Sequence, residues 1–141
     1  MARKKISEQL RGKVAERAKF RCEYCQTTME MSTQRFEIEH VQPNSKGGET
    51  RYENLALSCR GCNSHKFIKT KGFDKITQTT VSLFNPREDN WETHFAWDKD
   101  PLFLIGLTAI GRATIESLQL NRPQLISVRN LLRKAHLHPP L

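Results

Sequence analysis

The chain has no long apolar run. Its most apolar stretch, Leu102 to Ile105 with its neighbours, is far too short to span a bilayer, so a membrane-spanning segment is excluded. No apolar stretch follows the first basic residues, so no secretory leader is expected and the cytoplasm is the expected compartment. Internal repeats and low-complexity tracts are also missing, which argues against solenoid and linker-like chains. Apolar residues make up 37% of the 141 positions, a modest share, so the core needs support from elsewhere. Acidic residues are scarce. Fifteen acids face 23 Lys and Arg, for a formal net charge of +8. That balance points to a polyanionic partner, DNA, RNA or an anionic membrane surface, or to a protein that is merely basic and soluble or bound at a ribosome. The charge is densest at the start, where Arg3, Lys4, Lys5, Arg11, Lys13, Arg17, Lys19 and Arg21 crowd together.

Cysteine occurs only four times, and always in pairs. Cys22-x-x-Cys25 and Cys59-x-x-Cys62 are separated by 33 residues. Two residues between sulfurs let a tight turn aim both at one ion, and two such turns complete the tetrahedron that zinc accepts. In a reducing compartment paired cysteines read as metal ligands before disulfides. A redox dithiol is the alternative, but two matched pairs speak against it. With all four ligands cysteine, no coordination position stays open, so this zinc is expected to be structural.

The expected order of elements follows from local signals. Ser7 is a suitable N-cap for a helix to about Phe20, with Leu10, Val14 and Ala18 on one face and Lys/Arg over the rest. A first cysteine turn follows. Phe36 to Val41 alternates as a half-buried strand, Gln42 to Gly48 reads as a loop, and Asn54 to Ser58 as a second strand. The second cysteine turn then leads into a short helix from about Asn63 to Lys69. Further on, Val81 to Phe84 and Leu102 to Ile105 suggest strands, and Thr108 to Leu120 a helix. In a last helix, Leu125, Val128, Leu131 and Leu132 would line one side. Trp91, Phe95 and Trp97 read as packing residues, and His94, His136 and His138 as structural or tail residues.

Between and around the cysteine turns lies a group of residues suited to phosphodiester hydrolysis. That reaction needs a base for water and a cation for the charge that builds on phosphate. His40 titrates near neutrality and suits the base. Glu39 offers a hard oxygen to Mg²⁺ or Mn²⁺, and Asn63 a second one. Neighbouring strand residues point to opposite faces, so Glu39 and His40 could share a site only if the backbone bends. His65 and Lys66 are candidates for phosphate contact, with a solvated helix face as the alternative.

The segment Cys22 to Lys66 resembles the HNH endonuclease family in its zinc-knuckle, ββα-metal form. The resemblance rests on Glu39-His40, the loop through Pro43 and Gly47-Gly48, Asn54-Leu55, and Cys59-x-x-Cys62-Asn63-x-x-Lys66 in that order. It implies a metal-dependent endonuclease on DNA that leaves 5′-phosphate and 3′-hydroxyl ends. By position, His40 would be the general base and Glu39 and Asn63 the ligands of the catalytic divalent metal. Asn54 would pin the loop that orients the base. Many relatives have Asp where this chain has Glu39, whose arm is longer. The stretches around Leu83 to Arg87, Trp91 to Trp97 and Gly106 to Thr114 are similar to the C-terminal extension of one bacterial HNH group. Arg87 and Arg112, charged and beside turns, are candidates for phosphate contacts there.

The expected class is therefore α+β. A small ββα-metal core stapled by a four-cysteine zinc site would span residues 22–70. A basic N-terminal helix (1–21) would precede it, and an α/β extension (71–141) would pack on it. A non-catalytic zinc-stabilised module that only binds nucleic acid is the competing reading, and a structural zinc protein of a larger complex a third. Neither oligomeric state nor sequence specificity is expressed in these residues.

Overall fold

In the computed structural model, which describes residues 5–140, the chain begins with helix α1 (Glu8–Arg17). Arg3 and Lys4 of the basic cluster lie outside the described residues. The Ser7 hydroxyl accepts from the Leu10 amide at 3.1 Å, the expected N-cap. The helix stops earlier than Phe20 because Lys19 and Phe20 both turn left-handed, with φ of 56° and 59°. Val14 and Ala15 are buried, and Leu10 and Ala18 pack against the same core. The basic residues do not all remain in solvent. Arg17 donates to the Tyr52 carbonyl at 2.8 Å and lies over the Tyr52 ring at 3.9 Å.

Strands β1 (Glu37–His40) and β2 (Leu55–Ser58) pair antiparallel, with Glu39 opposite Ala56 and His40 opposite Leu55. Helix α2 (Arg60–Lys66) follows directly, giving a β-β-α unit. It starts three residues before the expected Asn63 because Cys59 serves as its N-cap, the sulfur accepting from the Cys62 amide at 3.5 Å. It ends at Lys66, where Phe67 takes a φ of 50°.

The second half holds two more hairpins. Strand β3 (Lys71–Asp74) pairs with β4 (Thr79–Ser82). Lys-Gly-Phe-Asp carries no apolar alternation, which is why β3 gave no signal. Leu83 and Phe84, expected in the strand, lie just past it in the core: the Leu83 amide still reaches the Thr70 carbonyl at 3.0 Å, and the Phe84 amide donates to Thr114 Oγ1 at 2.8 Å. After the single turn α3 (Trp91–His94), β5 (Phe95–Trp97) pairs with β6 (Leu104–Gly106). Trp91 stacks on Phe95 and Trp97, with ring centroids 5.1 and 5.8 Å away, so the aromatics pack as expected. His94 meets Thr108, and His138 packs on Trp97.

Helix α4 (Ala109–Leu118) is capped by Thr108, and α5 (Pro123–Lys134) begins on a proline suited to that position. The inner side of α5 is not the expected leucine stripe. Leu125, Arg129 and Leu132 are buried, while Leu131 is 59% exposed. Arg129 is accommodated because it donates to the Leu102 carbonyl at 2.8 Å, to Asn121 Oδ1 at 3.1 Å and to the Leu120 carbonyl. One core contains Val14 of α1, Tyr24 between the first two cysteines, Leu55 and Leu57 of β2, and Phe84, Phe95, Leu118 and Leu125 of the second half.

Two arginines expected at phosphates are committed inside the fold. Arg87 pairs with Glu23 and donates to the Leu55 carbonyl at 3.2 Å. Arg112 forks onto Asp74, with contacts of 2.9 and 3.0 Å. The Arg112 hydrogen bond, with those from Thr77, holds the Asp74 carboxyl well below the usual carboxylate range. A carboxyl lowered on folding adds stability above its unfolded pKa of about 4, and that contribution fades as pH falls further. The stability gap between the parent chain and Asp74→Asn should therefore be full above about pH 4 and shrink below it. Urea midpoints measured across that range check this, and a gap independent of pH would contradict it.

Candidate active site

The four cysteine sulfurs lie within 4.8 Å of one another, and none forms a disulfide. The first pair is presented by a tight turn in which the Cys22 amide bonds the Thr27 carbonyl and the Gln26 amide bonds the Cys22 carbonyl. The second pair sits at the start of α2. Cys25 and Cys59 sulfurs are 3.8 Å apart. That equals the edge of a tetrahedron with Zn–S bonds of about 2.3 Å, so the donor set fits a zinc ion. Burial raises the Cys22 thiol, whereas hydrogen bonds from Cys22, Cys25 and Cys62 hold that of Cys59 well below its ordinary range. Four sulfurs this close cannot all ionise without a cation among them.

His40 ends β1, where the residue is 8% exposed and Nε2 lies 2.9 Å from Thr50 Oγ1. The loop after it is clipped shut by one amide. Asn54 Oδ1 accepts from the Gln42 amide at 2.9 Å, and its Nδ2 donates to the carbonyls of Gln42 (3.0 Å) and Glu49 (2.9 Å). The Val41 amide also reaches the Asn54 carbonyl. Gly48 is required here, since a Cβ would stand 1.7 Å from the Gln42 carbonyl oxygen. Through this clip the loop carries Thr50 to the His40 ring.

Glu39 is placed otherwise than the sequence suggested. Its carboxylate is buried: the Tyr24 hydroxyl donates to Oε1, and Oε2 lies 3.2 Å from Lys66 Nζ. Lys66, expected on a solvated or phosphate-facing surface, is 2% exposed and also donates to the Val41 carbonyl at 3.2 Å. Burial pushes the Glu39 carboxyl up, while Lys66 and the Tyr24 hydroxyl pull it back. Both oxygens are thus engaged by protein partners. Adjacent strand residues project to opposite faces, and no bulge interrupts the β1–β2 register at Glu39 and His40.

Asn63 is half-buried on α2, one turn before Lys66. It lies three residues from Lys66 on the same side of α2, and Lys66 is anchored to Glu39 of β1 and to the Val41 carbonyl. His65 is exposed. The sequence reading missed Tyr24, Thr50 and the buried role of Lys66. For Lys66 a signal existed in its fixed spacing from Cys62 and Asn63. For Tyr24 and Thr50 none did, because their partners are set by folding.

The family model for the HNH endonuclease matches residues 22–67. Residues 22–67 are an HNH endonuclease domain. The match covers the β-β-α unit, the four cysteines and the His40 loop, and it ends at the residue that terminates α2. No curated protein and no solved structure matches the chain. The HNH domain is of a nuclease class, and nucleic acid is the substrate class it implies. Among the described residues, no helix is long and apolar enough to cross a membrane.

Proposed function

We propose that this chain is a metal-dependent endonuclease hydrolysing phosphodiester bonds in DNA, with His40 as the general base. The supporting observation is that Thr50 and the Asn54-clipped loop hold the His40 ring at the end of β1 within the HNH domain. A base held in one orientation can take a proton from water without first being ordered. Asn54 positions that base and touches no reacting atom. Cys22, Cys25, Cys59 and Cys62 would hold a structural zinc. Mg²⁺ or Mn²⁺ would neutralise charge on the phosphate, with the Asn63 side-chain oxygen as its protein ligand. Glu39 as placed does not complete that ligand set, and its work is to anchor α2 to β1 through Lys66. In this reading residues 1–21 and 71–141 flank and buttress a nuclease core at 22–70, and the protein acts in the cytoplasm.

The commitment of Glu39 to Lys66 favours a second reading, a zinc-stabilised module that binds nucleic acid without cutting it. Supercoiled plasmid separates the two. With Mg²⁺ or Mn²⁺ the parent chain should nick it, EDTA should stop the reaction, and His40→Ala should be slower by roughly 10²–10⁴-fold. Equal cutting by both proteins would remove His40 from the mechanism. Equal binding with no cutting of DNA or RNA would establish the binding module.

A further inference from the structure

Arg122 immediately precedes the last helix, 60 residues after Cys62, yet its guanidinium faces the cysteine cluster. Nη1 lies 3.6 Å from Cys62 Sγ, and Nη2 lies 3.6 Å from both Cys59 Sγ and Cys62 Sγ. Nη1 also donates to the carbonyls of Leu118 and Gln119, each at 3.2 Å. These are carbonyls at the C-terminal end of α4, where the helix dipole is negative and the last acceptors lack helical partners. One planar cation is thus wedged between a helix end and two sulfurs of the opposite half of the molecule.

The knuckle leaves room for it. Gly61 stands between Cys59 and Cys62, and a Cβ there would lie 2.4 Å from Arg122 Nη2. A side chain at 61 would displace the guanidinium, which is the far end of a flexible arm, before it disturbed any backbone. Four thiolates around one zinc carry more negative charge than the ion neutralises, and with three of the four cysteines buried that surplus is costly unless donors or cations surround the sulfurs. Such outer partners orient ligands and tune affinity.

We infer that Arg122 is the outer-sphere partner of the cysteine metal site: it neutralises the Cys59 and Cys62 thiolates and makes the C-terminal half part of the metal centre. The inference rests on the zinc reading above. It gives the second half a task beyond packing. Because coupling is reciprocal, metal in the knuckle should also hold the α4–α5 junction in place.

The test uses the full chain and Zn²⁺ in competition with a chromophoric chelator, with the Co²⁺ charge-transfer spectrum as a check on tetrahedral sulfur ligation. Arg122→Ala and Gly61→Ala should each bind Zn²⁺ about 10–100-fold more weakly. Arg122→Lys, which keeps the charge but loses the fork, should fall between them and the parent chain. The double variant should be no weaker than Arg122→Ala alone, since both single changes remove one contact. An unchanged Zn²⁺ affinity in Arg122→Ala overturns the inference, as do losses that simply add in the double variant. A parent chain that takes up no Zn²⁺ or Co²⁺ would remove the zinc reading and this inference together. A parent chain that binds tightly, beside an equally tight Arg122→Ala, would remove this inference alone.

Discussion

Removing zinc with a strong chelator should unfold the HNH domain rather than merely loosen it. Structural zinc in sulfur sites contributes about 10–16 kcal/mol of apparent binding free energy, comparable to or larger than the roughly 5–15 kcal/mol net stability of a whole domain. Three of the four cysteines are also members of the buried core, with Tyr24, Leu55 and Leu57 around them. Without an ion, closely packed thiols either stay protonated, with poor hydrogen bonds, or repel as thiolates. Cys59→Ala should reproduce much of the effect, because it removes both a ligand and the side chain that caps α2. Trp91 offers a readout, since its indole donates to the Tyr24 carbonyl inside the first cysteine turn at 3.0 Å. Its fluorescence and the circular dichroism should change together on chelation and return with added Zn²⁺. A melting curve indifferent to chelator, with four titratable thiols, would refute a structural metal.

Glu39→Gln should destabilise the chain by about 3–5 kcal/mol, the usual cost of leaving one member of a buried ion pair without its counter-charge. The residue left behind is Lys66, with the Val41 carbonyl as its remaining hydrogen-bond partner. Replacing both, as in Glu39→Gln with Lys66→Met, should recover most of the loss, because no uncompensated charge then stays buried. Urea unfolding of the two single variants and the double gives the coupling directly. The same variants separate two roles for Glu39. If it is a ligand of the catalytic cation, Glu39→Gln should leave stability nearly unchanged and raise the Mg²⁺ concentration needed for cutting. If it anchors α2, stability falls first, and the double variant regains cutting along with its fold. Either pattern decides the role.

A good part of the β-β-α unit was legible beforehand. Ser7 announced the first helix, the alternation at Phe36 to Val41 announced β1, and the spacing of four cysteines announced one cluster of sulfurs. These are signals carried within a few residues: a cap, a period, a pair of turns. The hairpin partner β3 was not legible, since Lys-Gly-Phe-Asp has neither alternation nor β-branched residues, and its ladder to β4 forms only with that partner present. Arg87 and Arg112 looked like surface charges beside turns. Their carboxylate partners, Glu23 and Asp74, lie 64 and 38 residues away, beyond any local pattern.

The sequence by itself determined the HNH match over residues 22–67 and its four-cysteine cluster, because those depend on residue types at fixed short spacings. Tertiary structure alone decided which charges are buried. Glu39 and Lys66, Arg87 and Glu23, and Arg122 against the sulfurs of Cys59 and Cys62 are all pairings across distant segments. A charged side chain reads as exposed in a sequence because an isolated charge is expensive to bury. It becomes tolerable in the interior only where folding brings its partner to it, and that partner is chosen by the packing of the whole chain.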